Sequence, residues 1–272
     1  MGANSKLFSY KGYDIPLPLV NLTGGGTNTW DMISEVHMQE YAAYCPIEPD
    51  HVVLEPGCGV GRDAISLTKV LSNKGQYIGF DIIKPSIEWC EANITSRYAN
   101  FTFFYLDIQS QIHNPAGKRK TTQLQLPVKN RSVDRIVLHS VFTHMFEDDI
   151  THYLREFRRI LKPNGRVMAS FFVLDDESLA LARAKAGDLL FDHHHGNGCF
   201  INDKDHPEGA VGYTPTALMR MLKHGGMMLD QDIHHGYWSG RSGVTDGQDI
   251  VVMKPGALLP IHKLRQALRR GH

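Results

Sequence analysis

The stretch that most restricts what this chain can fold into is HVVLEPGCGVGRDA, His51 to Ala64. A short apolar run ends at Glu55, and Gly57, Gly59 and Gly61 follow at every second position. So short a run, bounded by turn residues, reads as a buried strand. The spaced glycines carry the backbone round a tight bend, and Arg62–Ser72 then has the spacing of a helix. Strand, glycine bend and helix together form the first half of a βαβ unit, and such units build parallel sheets.

The same rhythm continues along the chain. Gln76–Asp81 reads as the second strand and Lys84–Tyr98 as its helix, with Pro85 in the first turn, where a missing N–H costs nothing. Asn100–Asp107 is the third strand, and a polar loop carrying Lys118, Arg119 and Lys120 leads to a fourth, Arg135–His139. Asp149–Leu161 places Ile150, Tyr153, Leu154, Phe157 and Ile160 on one face of an amphipathic helix. Pro163-Asn164-Gly165 turns into the fifth strand, Arg166–Leu174. Thr214 and Pro215 open a helix to Lys223, and Met227–Ile233 and Asp249–Met253 are the last two strands. About fifteen residues and no long helix separate those two, so they form an antiparallel hairpin at one edge. Five strands alternating with helices require a parallel, doubly wound α/β sheet.

Three segments lie outside this rhythm. Residues 1–49 form an N-terminal cover with a Gly24-Gly25-Gly26 hinge and a helix from Thr29 to Tyr44. Residues 175–213, rich in His and Gly and weakly periodic, are an inserted lid in the 50–255 domain. Residues 256–272 are a basic tail carrying Lys263, Arg265, Arg269 and Arg270. Such a tail is a solvated helix more often than a membrane-surface one.

The first three strands each end in a carboxylate, at Glu55, Asp81 and Asp107. Strand ends of a parallel sheet are where ligands gather. Three acids there suit a ligand with a cation and a ribose rather than a string of phosphates. This arrangement resembles the class I S-adenosylmethionine-dependent methyltransferases over roughly Asp50 to Pro255. The resemblance implies a Rossmann-like, seven-stranded, mostly parallel sheet whose last strand runs backwards. It also implies S-adenosylmethionine as cofactor and S-adenosylhomocysteine as product. By the same resemblance Glu55 faces the ammonium of the methionine moiety, in place of the commoner aspartate. Gly57, Gly59 and Gly61, with Cys58 and Arg62, line the cofactor, and Asp81 accepts both ribose hydroxyls. Ile82 packs on adenine, Asp107 accepts from its exocyclic amine, and Ile108 offers a backbone N–H. His139 touches the cofactor through its backbone, with a catalytic role as its second reading.

A dinucleotide-binding reading competes but fits less well. It wants G-x-G-x-x-G, and Arg62 stands where the third glycine belongs. Glu55, two residues before the first glycine, would also repel a pyrophosphate.

The loop after strand four reads HSVFTHM, His139 to Met145. It lacks the Asn/Asp-Pro-Pro-aromatic and Pro-Cys signatures of nucleic-acid methyltransferases. Its S-x-x-x-H is similar to that of small-molecule enzymes, which makes His144 the candidate general base, set against a purely local capping role. His193-His194-His195 lack metal-ligand spacing, so no metal is expected, and a lid role competes with a plain surface loop.

Lys+Arg and Asp+Glu are both 29, so charge draws the chain neither to nucleic acid nor to stable membrane association. The four cysteines are scattered, the N-terminus lacks a secretory apolar stretch, and both suit a reducing cytoplasm. The expected activity is methyl transfer to oxygen or nitrogen of a small-molecule acceptor. Methylation of a protein or RNA side chain, or cofactor binding without turnover, are the alternatives, and a homo-oligomer is left open.

Overall fold

The computed structural model describes residues 6–185, 189–244 and 246–256. The chain opens with a hairpin of β1 (Leu7–Tyr10) and β2 (Tyr13–Pro16), followed by α1 (Leu17–Thr23) and α2 (Gly26–Tyr44). The alternating part then runs β3 (Val52–Pro56), α3 (Arg62–Leu67), β4 (Gln76–Asp81), α4 (Lys84–Cys90), β5 (Phe101–Tyr105) and β6 (Val133–Leu138). Next come α5 (Glu147–Ile160) and β7 (Leu161–Phe171), then α6 (Asp176–Lys185) and three short strands, β8 (His193–Gly196), β9 (Cys199–Ile201) and β10 (Val211–Tyr213). The chain closes with α7 (Pro215–Gly225), β11 (Met227–Leu229) and β12 (Asp249–Pro255). The basic tail, from residue 257 on, lies outside the described residues.

Seven strands form the central sheet in the order β11-β12-β7-β6-β3-β4-β5. β5, β4, β3, β6 and β7 are parallel, and β12 runs antiparallel to both β7 and β11. The fold is thus the Rossmann-like α/β sheet the sequence implied, with the last strand reversed. β12 inserts between β7 and β11, so only β11 of the final hairpin occupies the edge.

Period-two alternation builds both faces of the sheet. Leu54, Ile136, Leu138, Val167 and Val251 point into a core shared with α5 and α7. Their strand neighbours Val53, Val137, Met168, Ile250 and Val252 point into a second core with the N-terminal segment and α3. Trp30 of α2 is fully buried in that second core, which fastens the N-terminal cover to the sheet.

Several elements differ in extent from the sequence reading. α3 and α4 are shorter, and a π-helical turn, Glu91–Thr95, continues α4. The Pro163-Asn164-Gly165 segment falls within β7, beside a register shift between Val133 and Arg135. Within 175–213, the described residues form α6 and a three-stranded antiparallel sheet of order β10-β9-β8.

β3 has β4 on one side and β6 on the other, so the chain reverses its direction of travel across the sheet beside β3. A crevice opens at such a reversal, outside the carboxyl ends of the strands.

Candidate active site

That crevice holds a cavity of about 500 Å³. The glycine bend forms its floor. Gly57 and Gly59 have φ of +74° and +54°, and a Cβ at either would lie 2.5–2.6 Å from Val141 or Thr23. Only glycine combines that backbone with that approach. Gly57 and Cys58 donate their N–H groups to the Phe80 carbonyl at 2.7 and 3.1 Å, which ties the bend to the end of β4. Gly61 caps α3 and donates its N–H to the Cys58 carbonyl at 2.9 Å. The N-terminal cover joins here as well, because Val60 donates its N–H to Thr23 Oγ1 at 3.0 Å.

Glu55 and Asp81 are both 7% exposed and both line the cavity. Asp81 accepts the N–H groups of Gly59 (2.7 Å) and Ile83 (2.8 Å), one on each carboxylate oxygen. It therefore braces the bend in addition to facing the cavity. Glu55 accepts the Tyr77 hydroxyl. Burial, followed by the nearby Asp63 charge, pushes Glu55 well above the usual carboxylate range. Burial pushes Asp81 upward too, against the N–H donors that hold it down.

The remaining sequence candidates divide. Cys58, Arg62, Ile82, Ile108, His139 and His144 line the cavity. Asp107 does not. Its Oδ1 accepts the Tyr105 hydroxyl at 3.0 Å and the Lys118 N–H at 3.4 Å, so the wall at that strand end is Leu106, Ile108 and Gln109. The Ile108 N–H is donated to the Leu106 carbonyl at 2.8 Å in a tight turn, and is not free for a ligand. Arg62 lies over the Trp30 ring, 5.2 Å from its centroid, and donates to the Gly24 carbonyl at 3.2 Å.

His139 belongs to a buried network that the sequence reading missed. Its Nε2 lies 2.6 Å from Glu40 Oε2, and its ring stacks on His37 at 3.5 Å and 5°. His37 Nδ1 and the Tyr41 hydroxyl each donate to Asp63 Oδ2 at 2.7 Å. Burial alone would raise Asp63, but His37 and Arg62 hold its carboxyl below the ordinary range. One donor atom each from His37, Asp63 and His139 falls within 4.8 Å of the others. The two rings are parallel and stacked, however, so no single ion can lie in the plane of both, where imidazole lone pairs point. A stripe of Trp30, Ser34, His37 and Tyr41 at helical spacing was the available signal, since it puts polar groups on the buried face of α2.

His144 closes a short 3-10 turn after β6. Its Nδ1 lies 2.8 Å from the Glu208 carbonyl, which can only accept, so Nδ1 donates, and in the neutral imidazole Nε2 is the nitrogen with the lone pair. Glu208 belongs to the 175–213 insertion, and its Oε2 accepts the Ser110 hydroxyl (2.9 Å) and the Gln111 N–H (3.0 Å). The insertion thus grips the loops after β5 and β6. His195 of β8 stacks on Phe146, which lines the cavity, but none of His193, His194 or His195 lines it directly.

Comparison with known proteins bears on the family and the fold. A family model described as a methyltransferase domain matches residues 47–226. An arsenite methyltransferase of Aquipseudomonas alcaligenes is 26% identical over 196 residues, covering 69% of this chain and 53% of that protein. An uncharacterized protein of Haemophilus influenzae is 27% identical over 120 residues, covering 44% of this chain and 41% of that protein. The chain thus spans about half the length of the curated relatives it matches. Among solved structures, a SAM-dependent methyltransferase of Leishmania major superposes with a TM-score of 0.54 at 15% identity, covering 88% of this chain and 77% of that one. One from Methanosarcina mazei gives 0.52 at 18% identity, covering 82% and 98%. The likeness to these two structures is one of fold. With the family model spanning well over half its length and the glycine bend inside the matched segment, the chain belongs to the class I S-adenosylmethionine-dependent methyltransferase family.

Proposed function

We propose that this chain transfers a methyl group from S-adenosylmethionine to an oxygen or nitrogen of a small-molecule acceptor, with His144 as the general base. The reading is carried by His144, whose tautomer leaves an imidazole lone pair in the same cavity as the glycine cradle. The cavity suits the cofactor, because the positive-φ glycines Gly57 and Gly59 turn the backbone along its floor and the buried Glu55 and Asp81 complement a positive ligand. Bound there, the cofactor supplies a methyl group on an electron-poor sulfur. Glu55 would hold its ammonium, Asp81 its ribose hydroxyls, Ile82 its adenine, and Arg62 its carboxylate. His144 would orient the acceptor and take its proton, a contribution of about 10²–10⁴-fold.

An arsenite acceptor is the less favoured reading. Arsenic(III) is thiophilic, and of the four cysteines only Cys58 lines the cavity. Burial pushes that thiol well up, away from the thiolate form a soft metalloid binds.

Incubation with methyl-labelled cofactor and a metabolite panel, read by mass spectrometry, tests the proposal. One small acceptor should gain one methyl. Asp81→Ala should weaken cofactor binding by about tenfold or more, as expected for lost hydrogen bonds to a charged group. Full activity of His144→Ala on the identified acceptor would remove the base assignment.

A further inference from the structure

Away from the glycine bend, the cavity wall is acidic. Asp149, in the first turn of α5, and Glu208, from the insertion, both line it. Burial pushes the Asp149 carboxyl up, and the neighbouring Asp148 and then Glu208 carboxylates add to it. Neither has a basic side chain as an ion-pair partner among the described residues. The Thr121 side chain beside Asp149 favours its ionised form, and Glu208 accepts from the Ser110 hydroxyl and the Gln111 N–H. Among the residues lining the whole cavity, Arg62 is the single Lys or Arg, and it sits at the opposite end, against Gly24.

A second observation points to a polar ligand in the same place. Tyr153 lies one helical turn beyond Asp149 on α5, lines the cavity and is only 6% exposed. Its hydroxyl makes no hydrogen bond to the described residues and opens to the cavity. A hydroxyl that the protein leaves unpaired on a cavity wall offers a ligand both a donor and an acceptor.

We infer that the acceptor is an amine, bound as its ammonium form between the carboxylates of Asp149 and Glu208, with the Tyr153 hydroxyl and His144 completing its polar contacts. The inference rests on the methyltransferase reading above and narrows it from oxygen or nitrogen to nitrogen. A carboxylate or phosphate acceptor would face two like charges with no compensating cation, which costs affinity instead of supplying it. A metal ion is the wrong size for the site. No three of His113, His144, Asp149 and Glu208 bring donor atoms within 4.8 Å of one another, a spread that fits an organic cation better than a coordination sphere.

The chemistry follows directly. The bound ammonium gives one proton to His144 Nε2 and becomes a neutral amine with a free electron pair. That pair forms the new N–C bond while the C–S bond breaks and sulfur keeps the electrons of the broken bond. The methylated nitrogen carries the positive charge that left the sulfur, and the imidazolium returns its proton to solvent.

Calorimetry on the full chain saturated with S-adenosylhomocysteine tests this with benzylamine, benzyl alcohol and benzoate, probes of one shape and three charges. The amine should bind at least about tenfold more tightly than the alcohol, and benzoate most weakly. Asp149→Asn, checked for folding by circular dichroism, should abolish that preference, and Tyr153→Phe should reduce it. Equal affinity for the three probes overturns the inference, as does a preference for benzoate or failure of benzylamine to bind the cofactor-loaded protein. Failure of S-adenosylhomocysteine and S-adenosylmethionine to bind at all overturns the underlying methyltransferase reading instead.

Discussion

Glu55 is a carboxylate whose ionisation depends on what lies beside it. Burial and the Asp63 charge favour its protonated form in the protein alone. A cationic ligand favours the ionised form, so its pKa is lower with cofactor bound than without. Binding therefore releases a proton, and affinity for S-adenosylmethionine should rise with pH between the two values. Calorimetry in buffers of different ionisation enthalpy measures that release directly, and Glu55→Gln should abolish it. A flat or falling affinity would contradict the assignment. That Glu55, Gly57 and Asp81 border the cavity was legible in the sequence, because each is fixed by its place at a strand end or in a tight bend. Asp107 was not, because one residue's turn of the backbone after β5 decides whether its side chain meets the cavity or the Tyr105 hydroxyl.

At the scale of elements, α2 joins the site through polar contacts on its buried face. His37, Glu40 and Tyr41 connect it to Asp63 of α3 and to His139 at the end of β6. Removing one partner from a buried charged network leaves the others uncompensated, at a cost of about 3–5 kcal/mol. Asp63→Asn should lose stability on that scale in urea denaturation. The folded pKa of Asp63 lies below its unfolded value, so its contribution is present above the unfolded pKa and lost as pH falls through the folded one. The acid side of the stability profile should therefore flatten in Asp63→Asn. The strands and amphipathic helices could be read from period and punctuation, since those patterns are local. This network could not, because it joins residues up to 99 positions apart that meet only once α2 docks. The β8–β10 sheet escaped for a related reason. Its three- and four-residue strands are too short to show a period, and β10 is held from outside, through Leu174 and Tyr213.

Over the whole molecule, the sheet order explains how distant segments come to serve one crevice. The reversal beside β3 opens the floor, the N-terminal cover closes one side through Thr23, and the insertion closes the other through Glu208. The described residues contain no helix long and apolar enough to cross a membrane. Glu55, Asp63, Asp81, Asp149 and Glu208 all border the crevice, against the single guanidinium of Arg62. That imbalance bears on how a catalytic cycle ends. Methyl donation removes the positive charge from sulfur, and the spent nucleoside loses the attraction that drew its precursor in. S-adenosylmethionine should accordingly bind more tightly than S-adenosylhomocysteine, with the gap narrowing in high salt as screening grows. Competition binding at two ionic strengths would reveal it. An enzyme so charged would resist clogging by its own by-product, keeping its rate as the by-product accumulates.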